Sequence, residues 1–352
     1  MNEQSVTYLL LSGLQYGIID TFKKHIRPLI DNKKRNVSIL FAILLFTIHA
    51  CQKNNFGPTD PDFPLKLSEI GVFTSPISDL IPASDYYLYE LSSELFSDYA
   101  EKQRLIRLPA GEQLTKIDDG LPTFPDGTWI VKTFYYWKDE RTPSKGKNII
   151  ETRFLILENN EWKVAVYKWN DSQTEAYLLT SGNDEPRNWI NEKGEGKVTT
   201  YHIPSNKECF TCHQSDGKMT LIGLKLYNLN RQVERNGDTL NQLDHFQQLG
   251  LINNFDITSV DNLADYNDDS SSDEERGRAY MEINCSHCHS PGGFSDWLGL
   301  DFRNYTPFDE TGIESKKTFL VGNVESGFMP FIGTSLPDEK GIEIMKAYVK
   351  TL

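Results

Sequence analysis

Two short stretches hold most of the reactive side chains: Cys209-Phe-Thr-Cys212-His213 and Cys285-Ser-His-Cys288-His289. Two thiols three positions apart can each add to one vinyl group of a haem. The histidine that follows then stands under the iron as a fixed axial ligand. The pair of motifs predicts two covalently bound haem c groups. One would sit on Cys209, Cys212 and His213, the other on Cys285, Cys288 and His289. The same residue types admit other chemistry. Four thiols could hold tetrahedral zinc, and a Cys-x-x-Cys pair in a βαβ setting is a redox dithiol. The long separation of the pairs, the histidine after each and the lack of a βαβ pattern weigh against both.

A haem iron takes ligands on two faces. Opposite His213 the candidates are His245, Met219 and His202, with an open position as the alternative. His245 is preferred, because it falls on an amphipathic stretch far enough along the chain to reach the other face. Met219 would have to double back around the ring. A histidine on a helix is more often a surface residue, and that plainer reading stands beside this one.

The elements that must position these motifs divide the chain. Residues 124–203 read as β structure. Trp129, Val131, Thr133, Tyr135 and Trp137 alternate onto one face. Strands at 149–157 and 162–169 are joined by Asn159-Asn160, a tight-turn pair. Weaker strands at 175–180 and 197–203 complete a meander whose short connections favour an antiparallel sheet. Helices are expected over 86–104 and 241–251. Residues 253–275 read as a solvated Asn/Asp/Ser link, and their acidic run lacks the glycine and spacing of a calcium loop. Ser272 and Glu275 form a capping box that starts a helix into the second motif. Ser335 and Asp338, with Pro337 between, start a last helix with Ile342, Met345, Val349 and Leu352 as its buried stripe. The predicted class is α+β: an N-terminal antiparallel β-rich domain (63–203), then a first haem-binding region (204–264) and a mainly α-helical second haem domain (265–352).

Before these, Lys33, Lys34 and Arg35 precede an apolar run over 37–48 that ends at His49-Ala50-Cys51. The run is too short to span a bilayer and suits a secretory signal. Its stop at a cysteine predicts a lipoprotein, with 1–50 as targeting segment, Cys51 lipidated and 51–62 as a polar tether. The alternative is a plain cleaved signal or a retained anchor. Residues 1–32 have no reading in this scheme. With Cys51 lipidated, the other four of the five cysteines all fall in the two motifs, leaving none for a disulfide. Net charge is −14, from 36 Lys+Arg against 50 Asp+Glu. No basic stripe stands out, so nucleic acid is excluded as a partner. Hydrophobic residues at 38% and aromatics at 12% are enough for a packed core rather than global disorder.

The stretch from Gly277 through Tyr280 and Met281 to Cys285 resembles the N-terminal helix of class I cytochromes c. There a glycine at the place of Gly277 lets the C-terminal helix cross closely. The likeness implies Tyr348 as the partner of Gly277 and places Met281 in a slot that is usually aromatic. It also implies Met329, followed by Pro330, as the ligand opposite His289; the plainer reading of Met329 is a buried gap-filler. Over 63–352 the chain is similar to a family of exported bacterial di-haem c-type cytochromes with a long N-terminal region and no settled role. The likeness is carried by FPLKLSEIGVF (63–73), ELFSDYAEKQRLIRLP (94–109), ETRFLILENNEW (151–162), YKWNDSQTEA (167–176), IPSNKECFTCH (203–213), IGLKLYNLN (222–230), NQLDHF (241–246), NCSHCHSPGG (284–293), GLDFR (299–303) and MPFIGTS (329–335). One departure is a shortened stretch between Phe319 and Met329. The resemblance implies haem binding and electron transfer at an envelope location; with the lipoprotein signal, the expected place is the periplasmic side, with a lipid anchor in the outer membrane.

Electron transfer is therefore the leading expectation. The acidic chain would meet a redox partner with a basic docking surface in a salt-sensitive encounter. The alternative is a di-haem peroxidase or oxidase, which needs one open iron with distal acid–base groups. Carbon monoxide binding to the reduced protein separates the two. Recognition of a glycan or protein by the β region rests only on its aromatic residues. No Ser-His-Asp order, phosphate loop or zinc-protease helix is present.

Overall fold

The alternating pattern around Trp129 builds the centre of the molecule. The computed structural model describes residues 63–352, and its main sheet is a six-stranded antiparallel meander. The strands are β1 (Tyr87–Leu88), β2 (Glu101–Arg107), β3 (Trp129–Trp137), β4 (Lys147–Glu158), β5 (Glu161–Trp169) and β6 (Ala176–Leu179), each paired with the next. β4 and β5 meet at Asn159 and Asn160, with φ of 53° and 62°. Left-handed backbone at both central residues matches the twist of a two-residue hairpin, and asparagine tolerates it. β7 (Asn183–Ile190) and β8 (Gly196–Ile203) form a separate hairpin.

Beyond the strands come α1 (Asn206–Cys212), a small hairpin of β9 (Gln214–Ser215) and β10 (Lys218–Met219), and the single turn α2 (Leu226–Leu229). The hairpin β11 (Gln232–Arg235) and β12 (Asp238–Asn241) leads into α3 (Gln242–Gln248). The chain ends with α4 (Asp273–Asn284), α5 (Ile313–Glu325) and α6 (Glu339–Thr351). Among the described residues no helix is long and apolar enough to cross a membrane.

Both faces of the meander are covered. On one, Leu105, Val131, Phe154 and Tyr167 meet Leu67, Val72, Phe73 and Leu80 from the segment before β1. Each fully buried side chain of this size contributes roughly 1.5–3 kcal/mol. On the other, Ile106 and Ile130 meet Leu221, Leu226, Leu243 and Phe246. Farther along the same face Phe134 and Val164 pack with Trp189, Tyr201 and Cys209. The last three helices bury their own cluster around Tyr280, Met281, Ile344 and Tyr348. The segments 63–203, 204–264 and 265–352 are stitched together. Ser93 N–H donates to Asn228 Oδ1 at 2.9 Å, Glu90 N–H to Gln242 Oε1 at 2.8 Å and Phe96 N–H to Asn284 Oδ1 at 2.8 Å. All belong to one compact unit.

Several expectations are corrected. Residues 86–104 are not a helix: Leu88 pairs with Leu105 across β1 and β2, and Asp98 and Tyr99 stand at φ of 51° and 64°. Cross-strand pairing overrides the helical spacing of the apolar residues. The meander ends at β6, and the strand expected at 197–203 pairs instead with β7, which the sequence reading missed. The link 253–275 is not wholly solvated, since Val260, Leu263 and Tyr266 are buried. Asp338, not Ser335, caps α6, accepting from Gly341 N–H at 2.9 Å. The buried stripe of α6 is Gly341, Ile344, Met345 and Tyr348; Ile342 and Val349 are half-buried.

The helix crossing expected at Gly277 is present. A Cβ on Gly277 would lie 2.3 Å from Tyr348 Cγ, and one on Gly341 would lie 2.3 Å from Tyr280 Oη. α4 and α6 thus each offer a glycine to the other's tyrosine.

Candidate functional site

The first motif ends a short, well-capped helix. Ser205 and Glu208 form a capping box at the start of α1, so the helix runs directly into Cys209 and Cys212 and stops at His213. The β9–β10 hairpin then turns at Asp216 and Gly217, with φ of 50° and 72°, and returns Thr220 to His213. Thr220 O lies 3.0 Å from His213 Nδ1. A carbonyl only accepts, so Nδ1 carries the proton and Nε2 keeps its lone pair. Burial holds this imidazole neutral by pushing its pKa down to about 3. That is the protonation state and orientation a proximal ligand needs.

Cys209, Cys212 and His213 line one cleft between the sheet face and the C-terminal helices. Its walls are apolar over Ile130, Phe134, Leu221 and Ile283, with residues 330 and 332–334 along one side. His287, the middle residue of the second motif, also lines it, and its Nδ1 is buried without a partner. The sequence reading passed over His287, because nothing in its spacing sets it apart from any residue between two cysteines.

The second motif follows α4, whose capping box at Ser272 and Glu275 is formed as expected. Cys285 packs against the helical core. His289 is 9% exposed, its ring centroid 5.3 Å from that of Phe302, and its Nδ1 is buried without a partner. Burial, and then His287, lower its pKa. Buried polar atoms in folded proteins mostly find partners, and these two nitrogens have none among the described residues.

The fold brings the two motifs together. One ligand atom from each of Cys212, His287 and Cys288 lies within 4.8 Å of the others. Separation in sequence is thus no argument against chemistry shared by the motifs, contrary to the expectation from spacing. The four described cysteines are all free thiols. Burial raises Cys209 to about 11 and Cys285 to about 12. The hydrogen bond from Cys212 to Cys288 raises Cys212 and lowers Cys288, so Cys288 is the first of this pair to become a thiolate.

The other candidates are placed as follows. His202 is held by Asp184 at 2.6 Å and Glu208 at 3.0 Å, one carboxylate on each ring nitrogen, and is withdrawn from ligation. Met219 packs half-buried against the cluster that contains Cys209 and does not line the cleft. His245 sits half-buried on α3, away from the lining, with burial and Arg235 lowering its pKa. The structure does not bring it to the cleft. Met329 is half-buried, and its N–H donates to Asn323 O at 3.0 Å. Pro330, which follows it, and residues 332–334 line the first motif's cleft. Cys51 and the expected targeting segment lie outside the described residues.

No family model, curated protein or solved structure matches the chain. The donor set must therefore be judged on its own chemistry. At the first motif two free thiols, an imidazole with Nε2 bare and a mostly apolar cleft fit a haem c. At the second the same donors are present, with the imidazole's other nitrogen unpartnered, in a closely packed setting.

Proposed function

We propose that this chain is a di-haem c-type cytochrome that transfers electrons in the bacterial cell envelope. The observation that carries the reading is His213. Its Nδ1 is fixed by Thr220 O, its Nε2 is free, and it shares with two free thiols a mostly apolar cleft that has cations on one wall. A bound haem supplies a one-electron carrier whose potential follows its ligands and surroundings. The chain's own part is to hold the neutral imidazole in one orientation, to keep water from the cleft with Ile130, Phe134 and Leu221, and to present Cys209 and Cys212 from one helix end. Cys285, Cys288 and His289 are the second attachment set. The short approach of Cys212 and Cys288 supports a pair of neighbouring attachment points rather than two isolated ones. The similarity to exported di-haem cytochromes supports the envelope location, with Cys51 as the lipid attachment point. The net charge of −14 supports a basic partner surface.

A pyridine haemochrome assay on protein matured in the envelope should give two haems per chain. The double variant Cys209→Ala/Cys212→Ala should give one, with the mass lower by one haem. Colourless protein with the mass of the bare polypeptide plus lipid would end the reading.

A second reading has one observation in its favour: Cys212, His287 and Cys288 form a soft donor set of the kind that holds zinc. It leaves Cys209 and His213 without a task. Elemental analysis of the same sample separates the two, since one zinc and no iron per chain selects the metal site.

A further inference from the structure

The cleft that holds the first motif has a charged wall. β2, β3 and β4 place Arg104, Lys132 and Arg153 directly opposite one another, Arg104 against Lys132 and Lys132 against Arg153. Residues paired in this way point to the same face, with Cβ atoms about 5 Å apart. Like charges so placed repel, the more strongly away from water. All three line the cleft with Cys209, Cys212 and His213.

Their counter-charges do not balance them. Glu94 accepts from Arg104 Nη1 at 2.8 Å and is also shared with Lys102 at 3.8 Å. Glu151 accepts from Arg153 Nε at 2.8 Å. Arg104 is 4% exposed, and its Nη2 is buried with no acceptor. Lys132 makes no ion pair among the described residues. Its ammonium stands 4.8 Å over the Phe134 ring, which also receives the Arg153 guanidinium at 4.4 Å. Burial, followed by Arg104, Lys102 and Arg153, pushes the Lys132 pKa well down. A buried cation in such a place is tolerated when an anion joins it. The row also has a direction. Arg153 is near enough to act electrostatically on Cys209, and Arg104 lies two strand spacings farther on, about 10 Å away.

We propose that Arg104 Nη2 and Lys132 Nζ bind the carboxylates of the group attached at Cys209 and Cys212, namely the two propionates on the haem edge opposite its vinyl groups. This rests on the haem reading. The thioether edge lies at the Arg153 end of the row and the acid edge toward Arg104. The two cations then position the haem plane across the sheet face, and the two carboxylates neutralise them.

The test uses the full, haem-loaded chain, with potentials followed by spectroelectrochemistry. The Cys209→Ala/Cys212→Ala variant identifies which wave belongs to the first site. A nearby positive charge favours the reduced, less positive iron. Lys132→Met should therefore lower the first-site potential, leave the second unchanged and move the carboxylate bands in the redox-difference infrared spectrum. Lys132→Arg should restore the first-site potential and the carboxylate bands. Arg104→Lys, which keeps a charge for Glu94 but removes the second guanidinium nitrogen, should move the same bands and serves if Lys132→Met does not fold. Two haems with unmoved bands and potentials in these variants would overturn the proposal and leave the haem reading intact. If succinate shifts the wild-type first-site potential, and Lys132→Met abolishes that shift, the cations serve a free dicarboxylate and the assignment to propionates fails. Protein without haem would remove both.

Discussion

Glu94 shows what one side chain contributes to this arrangement. Burial would raise its pKa, but Arg104, Lys102 and Lys132 overcome that and hold it at about 2. A carboxylate depressed in this way adds stability above its unfolded pKa of about 4.3, and the contribution is lost as pH falls toward 2. Its side chain is 38% exposed, so solvent screening reduces the contribution to roughly 1–2 kcal/mol. We expect Glu94→Gln to lower the unfolding free energy from urea titration at pH 7 by that amount and to flatten the loss of stability between pH 4.5 and 2. An unchanged acid slope would show that Glu94 is not the group responsible. Legibility at this scale was uneven. The cysteines and histidines of the two motifs stand next to one another in the chain and could be read locally. The row of Arg104, Lys132 and Arg153 could not, because its members meet only when three strands take up their register. Asp98 and Tyr99 likewise gave no warning that they would take left-handed backbone and break an otherwise helical pattern.

Among the elements, α4 and α6 carry the clearest sequence signal and the clearest steric consequence. Alanine is favoured over glycine inside a helix by up to about 1 kcal/mol. At Gly277 that preference loses, because a methyl group there would sit 2.3 Å from Tyr348 Cγ, inside a buried ring. Overpacking of this kind typically costs 1–3 kcal/mol, so Gly277→Ala should be destabilising by about 1–2 kcal/mol net. Calorimetry would register it as a lower Tm. A rise in Tm would mean that the two helices can slide apart at no cost. Gly277 was legible through its position ahead of Cys285. Gly341 was not, since its partner Tyr280 could be identified only after the crossing was known. The meander was legible from its period and from Asn159-Asn160. The hairpin of β7 and β8 was obscured by a polar stretch containing Pro186, which suits a two-stranded ribbon but not a central strand.

The whole molecule is acidic, and its interior near Cys209 is not. A chain of net charge −14 steers positively charged partners by a field that salt screens over about 10 Å at 0.1 M. Reduction by a basic donor should therefore slow as ionic strength rises from 10 to 200 mM, whereas an uncharged donor should show no such trend. Equal rates for the basic donor throughout that range would remove electrostatic steering. The division into three successive segments anticipated the order of the elements but not their union. Tyr89 and Leu91 pack with Leu243 and Phe246, and Asn228 and Asn284 bond to the backbone of residues 93 and 96. Such pairings depend on contacts between distant parts of the chain, which no local pattern records. One tie of this kind is made by Asp98. Its carboxylate accepts from Ser335 N–H, Ser335 Oγ–H and Leu336 N–H at 2.7–2.9 Å. The segment around Ser335 is thereby hung from the loop that leads into β2. Thr199 Oγ1, 2.9 Å from Ser335 Oγ, and Tyr99 Oη–H, donating to Pro337 O at 2.9 Å, moor the same stretch, so losing Asp98 would loosen the cover of the cleft without freeing it.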